Sequence, residues 1–328
     1  MNVLVLGGAG YIGSHFVKTA VARGLSVTVV DNLQTGHPAA VDAKAVFRKG
    51  DIRNRAFLAD VFTATAFDAV IHFAANSLVG VSMKDPVGYF DNNVHGTIAV
   101  LQAMEQFGVK KIVFSSSAAV YGSHKEMPIT EDYPTVPTNP YGESKLMMEK
   151  MMKWADLAYG LKYVSLRYFN VAGASSDHTI GEDHRPETHL IPIVLQVPLQ
   201  KRPNIVVFGR DYATPDGTCV RDYIHIEDLV DAHLRALDYL MNGGSSDVFN
   251  LGSNQGYSNL DVVSAARKVT GDPIMLEFGD RRPGDPDILV ASNEKALAVL
   301  GWKPKRGLEE MIGSAWDFHR RHPEGYPE

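Results

Sequence analysis

The feature that most constrains the fold stands at the very start of the chain. An apolar run, Val3–Leu6, passes directly into Gly7-Gly8-Ala9-Gly10-Tyr11-Ile12-Gly13, and a helical pattern follows over Ile12–Arg23. Gly7, Gly10 and Gly13 let the backbone turn sharply, approach a pyrophosphate closely and pack the helix against the strand. The helix N-terminus then offers N–H groups and partial positive charge to the phosphates. A glycine triplet alone also serves a plain tight turn. Here a second strand pattern ends in Asp31, 18 residues past Gly13, where a carboxylate can accept both ribose hydroxyls and repel a 2′-phosphate. No arginine within Asn32–His37 reverses that preference, so the pattern specifies NAD over NADP.

The rest of the first half extends this unit. Val27–Val30, Val46–Lys49, Ala69–Phe73, Lys111–Phe114 and Tyr163–Tyr168 are short continuous apolar runs, as expected for parallel strands covered on both faces. Arg53–Thr65 and Tyr89–Phe107 have helical length and spacing between them. The rhythm predicts an α/β fold: a Rossmann-type doubly wound parallel sheet with a smaller mixed α/β substrate-binding lobe. The expected division is 1–170 for the NAD-binding domain, with a return near 222–252 where Val248–Leu251 rejoins the sheet. Residues 171–221 and 253–328, ending in a helix near Leu308–His319, form the lobe.

Composition narrows the class. The chain of 328 residues carries 32 Lys and Arg against 38 Asp and Glu, a net charge of −6, which argues against a nucleic-acid or anionic-membrane partner. Cys219 is the only cysteine, so no intrachain disulfide and no thiolate metal cage can form, and a cytoplasmic setting is expected. The apolar start lacks a basic leader, and its glycines interrupt any signal-type helix. His189–Leu199, the best apolar stretch, is broken by Pro192 and Pro198 and falls short of a membrane span.

Two further patterns carry chemistry. Tyr141-Gly142-Glu143-Ser144-Lys145 opens a helix introduced by Asn139-Pro140, and the four-residue spacing puts phenol and ammonium on one face, about 6 Å apart along the axis. A phenol with a pKa of about 10 is a poor base at neutral pH, and lowering it by roughly 3 units takes about 4 kcal/mol from neighbouring positive charge. Tyr-x3-Lys alone is also an ordinary surface pair. Ser115-Ser116-Ser117 lies at the C-terminal end of the fifth strand, the edge where open α/β sheets bind ligands, and a hydroxyl there can donate to a developing alkoxide. Asp51, after the third strand, equally suits an adenosine contact and a helix cap.

These segments resemble the extended short-chain dehydrogenase/reductase superfamily, and within it the UDP-glucose 4-epimerases. The resemblance runs nearly end to end: Gly7–Ser14, Asp31-Asn32, His72-Phe73-Ala74, Asp91-Asn92-Asn93, Ser115–Gly122, Tyr141–Lys145, Arg167–Asn170, Arg221–His225, Arg281–Asp285 and His322–Pro327. It implies Tyr141 as the base, Lys145 as its electrostatic partner and a hold on nicotinamide ribose, and Ser117 on the sugar hydroxyl or phenolate. It further implies a cofactor cleft lined by Gly7, Gly10, Tyr11, Ile12, Gly13, Asp31, Asn32, Asp51, Ile52, Phe73, Ala74, Ala75, Asn92, Ser115 and Tyr168. A UDP-hexose would be held by Ser117, Tyr141, Asn170, Leu190, Phe208, Arg221, Arg282, Asp285 and Leu289. Read from the residues alone, the arginines supply charge-assisted phosphate bonds or a solvated turn. The resemblance also implies a homodimer through the helices near 89–107 and 141–158. The activity it implies is reversible C4 epimerisation of UDP-galactose and UDP-glucose through a 4-keto sugar and retained NAD.

Departures from the family pattern sharpen the expectation. Ser77 stands where the family often has a cofactor-contacting lysine. Leu289 stands where hexose-selective members carry a tyrosine beside the sugar's 2-substituent, which leaves room for an N-acetyl group and predicts activity on UDP-GalNAc and UDP-GlcNAc too; alternatively it is ordinary core. Ala118-Ala119 follow Ser117 where a nucleotide-sugar 4,6-dehydratase needs an Asp-Glu pair, and two methyl groups move no protons. A UDP-uronic acid 4-epimerase stays the nearer alternative, and a non-catalytic NAD sensor would not need Ser117, Tyr141 and Lys145 together. His178, His184 and His189 lie among Asp177, Glu182, Asp183 and Glu187 at spacings that fit no ligand pattern on a regular element, so no metal is expected. Met147, Met148, Met151 and Met152 with Trp154 make an apolar arc wider than one sheet-facing stripe needs.

Overall fold

Seven parallel strands form the central sheet of the computed structural model, which describes residues 1–282 and 285–327; Pro283 and Gly284 of the Arg281–Asp285 motif, and Glu328, lie outside the described residues. The strands are β1 (Asn2–Leu6), β2 (Ser26–Asp31), β3 (Val46–Lys49), β4 (Ala69–His72), β5 (Lys111–Ser115), β6 (Lys162–Tyr168) and β7 (Asp247–Leu251). Their order is β7-β6-β5-β4-β1-β2-β3, so the chain starts inside the sheet and winds outward to both sides. The reversal between β1 and β4 makes the crevice at the strands' C-terminal ends the natural ligand site. Val3, Leu4, Val5 and Leu6 of β1 are fully buried, as are Val70, Ile71, Ile112, Val113 and Phe114 of β4 and β5. At about 1.5–3 kcal/mol for each large aliphatic side chain removed from water, these strands anchor the fold.

The flanking helices are α1 (Tyr11–Ala22), α2 (Arg55–Ala64), α3 (Gly96–Gln106), α4 (Pro140–Tyr159) and α5 (Ile226–Met241). Core on one face joins α1 and α5 to the sheet, and core on the other joins α2, α3 and α4. Asn139 caps α4 by accepting the Gly142 N–H at 2.9 Å, and Pro140 sits in its first turn, as the Asn-Pro signal predicted. The continuous helix expected over Tyr89–Phe107 is interrupted: Phe90–His95 is wound as a π-helical turn before α3 begins. The extra residue per turn carries Asn92 and Asn93 inward, and both are buried. Asn93 locks the turn by donating to the Asn76 carbonyl at 3.0 Å and the Ser144 hydroxyl at 2.9 Å.

The lobe packs helices α6 (Asn259–Thr270) and α7 (Leu308–Arg321) with the short helix Leu190–Leu195 around Ile191, Val194, Val262, Met311 and Ile312. Ser258 begins α6 with a capping box to Asp261. Small sheets tie the lobe to itself: Val220–Arg221 pairs antiparallel with Tyr257–Ser258 and parallel with Ile288–Leu289, and Ile205–Phe208 pairs parallel with Leu276–Gly279. Among the described residues no helix is long and apolar enough to cross a membrane.

Candidate active site

The first strand delivers its glycine loop under tight steric control. Gly7 has φ +79°, and a Cβ there would lie 2.6 Å from the Ala74 nitrogen. A Cβ on Gly13 would lie 2.1 Å from the Gly7 carbonyl oxygen, so α1 can seat against the loop only without one. Gly10 differs, since its Cβ would meet nothing nearer than 3.5 Å, and no side chain caps the helix it begins. The first-turn N–H groups of α1, Tyr11 and Ile12 included, therefore open onto a smooth, approachable backbone. This is a cradle for a diphosphate. Asp31, buried at the end of β2, accepts the Ala9 N–H at 3.0 Å and the Leu33 N–H at 2.8 Å. Burial raises its carboxyl above the usual range while these two bonds pull it down. Each oxygen keeps a second lone pair for a ribose hydroxyl, so the carboxylate both shapes the loop and faces the ligand. These residues fit a dinucleotide.

Next to it, Asp51 is gripped by Arg53, whose Nε and Nη2 donate at 2.9 and 2.7 Å, and by Asn32 at 3.3 Å. The guanidinium holds the Asp51 carboxyl down to about 2. Arg53 also donates to Asp91 at 2.6 Å, which ties the loop after β3 to the π-helical turn. Ile52 is buried beneath, with its Cδ1 in the space a Cβ on Gly96 would need. On the β4 side, the Phe73 and Ala74 N–H groups both donate to the Leu6 carbonyl, which draws Phe73-Ala74-Ala75 across the mouth of the crevice. The Phe73 ring packs on Phe16 and His233. Asn92 is held by its bond to Asn93 at 3.0 Å, and Ser77 is exposed.

The serine cluster, Tyr141 and Lys145 come together at the C-terminal end of β5. Lys145 is 3% exposed and donates to the Ser115 carbonyl at 2.8 Å; its nitrogen lies 5.9 Å from the centre of the Tyr141 ring. Burial pushes its ammonium down to about 7, against an opposing pull from Glu149. Burial also raises the Tyr141 phenol above 10.0, and the Ser117 hydroxyl counters that by bonding it. Ser117 Oγ accepts the Ala119 N–H at 3.1 Å, so its own proton is free to point at the phenol or at a substrate oxygen. Ser115 bonds the Tyr168 hydroxyl, whose own proton burial makes harder to lose.

Beneath these groups lies a buried network that the sequence reading missed. Glu149 accepts Nε and Nη2 of Arg167 at 2.9 and 2.5 Å and the Ser116 hydroxyl at 2.5 Å. Arg167 passes on to Tyr121 at 2.8 Å, and Tyr121 to Asn250 at 2.7 Å. Glu149 follows Lys145 by four residues, so the spacing that pairs Tyr141 with Lys145 already places a carboxylate one turn deeper on the same face. His72, quoted in the family resemblance but given no role there, is fully buried at the end of β4; its Nε2 lies 3.1 Å from the Thr97 hydroxyl, and burial with nearby Lys145 lowers its imidazole to about 3.

The substrate-side candidates fall into linked pairs. Arg221 lies 3.2 Å from Asp285 and is braced by the Val220 and Pro286 carbonyls. The Arg282 guanidinium stacks 4.3 Å over the Phe208 ring. Asn170 directs both its backbone and side-chain N–H at the Asp222 carbonyl. Leu190 opens its short helix partly buried against the lobe core. Leu289 is the link to the chemistry: it sits opposite Arg221 in the small sheet and packs, partly buried, against the apolar cluster of Ala118, Val120, Tyr121, Ile129 and Leu146, whose first member follows Ser117 in the chain.

A seven-stranded parallel sheet with an anion cradle at β1 and a Ser-Tyr-Lys group at β5 defines an NAD-dependent enzyme that works on a bound alcohol. The chain belongs to the NAD dependent epimerase/dehydratase family, whose sequence profile matches residues 3–252. It is 58% identical over 327 residues to the UDP-glucose 4-epimerase of Lacticaseibacillus casei, covering 99% of each chain. Among solved structures, one UDP-glucose 4-epimerase superposes with a TM-score of 0.99 at 54% identity over 100% of both chains. The UDP-glucose 4-epimerase from Bifidobacterium longum, solved with NAD+ and UDP, gives a TM-score of 0.94 at 39% identity over 99% of this chain and 100% of that one.

Proposed function

We propose that Tyr141, Lys145 and Ser117 carry out the reversible C4 epimerisation of UDP-galactose and UDP-glucose. The observation that carries this reading is the convergence of Lys145, Tyr141 and Ser117 at the ligand-binding edge of β5, beside a backbone that accepts a diphosphate. Tyr141 takes the proton of the C4 hydroxyl, Ser117 donates a hydrogen bond to the same oxygen, and the Lys145 ammonium steadies the phenolate. When bound, NAD supplies the reversible two-electron chemistry at C4 and a positive charge beside the phenol. Arg221 and Arg282 hold the diphosphate while the 4-keto hexose turns within the pocket, and Tyr141 returns the proton once the other face is presented. The methyl side chains of Ala118 and Ala119 offer no acid or base for elimination at C6, which favours epimerisation over dehydration.

We also assign the cleft residues of the glycine loop, Asp31, Asn32, Asp51, Phe73 and Tyr168 to NAD, and Asn170, Leu190, Phe208 and Asp285 to the uridine diphosphate. On a division into 1–170 with 222–252, and a lobe of 171–221 and 253–328, the NAD set falls wholly in the first unit, and the uridine diphosphate set falls in the lobe except for Asn170 at the boundary. Leucine at 289 leaves space beside C2 of the sugar, which favours acceptance of N-acetylhexosamines. A homodimer is supported by an exposed apolar stripe on α4, Met147, Trp154 and Leu157, at helical spacing, with exposed Val81, Met83 and Val87 on the segment packed beside it. The single, buried Cys219 suits a cytoplasmic setting.

The test is Tyr141→Phe assayed with UDP-galactose. The expected loss in kcat is about 10²–10⁴-fold with KM little changed. Full activity in this variant overturns the assignment.

A further inference from the structure

The loop between the nucleotide half and the lobe folds four metal-type donors into one cluster. Glu182, His184, Glu187 and His189 each bring one ligand atom, all within 4.8 Å of one another. His184 Nδ1 lies 3.1 Å from Glu182 Oε1 and 3.7 Å from Glu187 Oε2. His189 Nδ1 lies 2.8 Å from Glu182 Oε1 and 3.0 Å from Glu187 Oε1. A tetrahedral ion with bonds of about 2.0–2.1 Å needs its ligand atoms about 3.3–3.4 Å apart; the imidazole–carboxylate separations lie on both sides of that edge, with Glu187 meeting the two imidazoles through different oxygens.

We propose that Glu182, His184, Glu187 and His189 form a zinc site that pins the loop entering the Leu190–Leu195 helix. The donor set of two imidazole nitrogens and two carboxylate oxygens suits Zn2+ and disfavours Mg2+ or Ca2+, which prefer oxygen alone. Against burial, Glu182 and Glu187 raise His184 to about 9 and His189 to about 10, so an ion that binds displaces one proton from each ring, and the two carboxylates then balance its double charge. Glu187 and His184 are also held by groups outside the cluster. Glu187 Oε1 accepts the N–H groups of Thr188 and His189, both at 2.7 Å. The His184 ring stands edge-on to Tyr11, whose hydroxyl donates to the Gly173 carbonyl at 2.6 Å. Glu182 is 4% exposed, whereas Glu182, His184 and Glu187 also border a cavity of about 250 Å³ reaching Gln196 and His319, which gives an ion a way in.

The cluster therefore joins three parts of the site. Tyr11 begins the helix that presents the phosphate cradle, the ligand loop crosses over it, and Leu190 follows His189 directly. An ion at this point fixes the substrate-side loop relative to the cofactor-side helix and takes no part in proton transfer at Tyr141.

The test uses the full chain, stripped with a chelator, dialysed and titrated with Zn2+ alone. The expected result is one Zn2+ bound per chain, a rise in Tm on binding, and an affinity at least about tenfold weaker in both His184→Gln and His189→Gln. The His189 side chain is 41% exposed, so its replacement opens no buried hole and the variant stays folded. Cobalt(II) in place of zinc is expected to give the strong visible absorption of four-coordinate cobalt in the wild type and to lose it in the variants. Equal zinc affinity in wild type and both variants overturns the site, as does an unchanged Tm with the faint spectrum of six-coordinate cobalt; either result reduces the cluster to an ion-pair group.

Discussion

Replacing Lys145 by Met separates what the side chain does for catalysis from what it costs the fold. Burial takes the ammonium from 10.5 down to about 7, a displacement worth about 5 kcal/mol at about 1.4 kcal/mol per pH unit. Below pH 7 the ammonium is charged in both folded and unfolded chains, and the folded state bears the whole penalty. Between 7 and 10.5 the unfolded chain still holds a proton that the folded one has released, so stability rises with pH across that window. Methionine has nearly the same length and keeps the packing over Phe114, but it leaves the Ser115 carbonyl without its donor, a loss of about 1–3 kcal/mol. The expectation is a change of sign. Near pH 6 Lys145→Met is more stable than wild type by about 2–4 kcal/mol, and above pH 10 it is less stable by about 1–3 kcal/mol. Urea unfolding of cofactor-free protein near pH 6, 8 and 10 reads this directly. Epimerase activity in the same variant falls about 10²-fold or more, because the phenolate loses its cation. A stability difference that stays constant from pH 6 to 10 refutes the reasoning, since the lysine would then not be paying for its burial.

Gly10→Ala and Gly13→Ala make a contrasting pair. The first has room for its Cβ and is expected to fold normally but retain NAD poorly; the second meets the Gly7 carbonyl at 2.1 Å and is expected to lose Tm by several degrees, both read by thermal unfolding and by the nucleotide released on denaturation. Leu289→Tyr is expected to suppress turnover of UDP-GalNAc at least tenfold while sparing UDP-galactose, and equal losses on both sugars would remove Leu289 from the pocket wall. Trp154→Asp, at a position 70% exposed, is expected to shift the protein toward monomer in sedimentation without lowering Tm; an unchanged sedimentation coefficient would move the interface off α4.

How far the sequence leads depends on the range of the interactions involved. The sheet is legible because parallel strands covered on both faces must be apolar throughout, and Val3–Leu6, Val27–Val30 and Lys111–Phe114 each lie within one residue of the observed strand ends. The cradle and the Tyr141–Lys145 pair are equally local, being fixed by spacing on one turn or one helix. Glu149 was within reach of the same spacing argument and was passed over because a carboxylate that deep needs Arg167, eighteen residues away, to be tolerable. The π-helical turn leaves no periodic signature, since Asn93 is received inside by Asn76 and Ser144, distant in sequence, and Asn92 in turn donates to Asn93. The link from Arg221 to Leu289 rests on a pair of two-residue strands, too short for any pattern to show. The spacing of Glu182, His184, Glu187 and His189 fits no ligand pattern because these donors share no regular element; they converge only in the folded loop, which lies against Tyr11 and leads into the Leu190–Leu195 helix.

The most direct test of the central claim is product analysis after incubating the purified protein with UDP-galactose and no added NAD, and separately with UDP-glucose. The account predicts that both reactions converge on one fixed ratio of the two sugars, with no electron acceptor consumed. If neither sugar is converted by protein shown to carry bound NAD, the C4 epimerase reading is wrong.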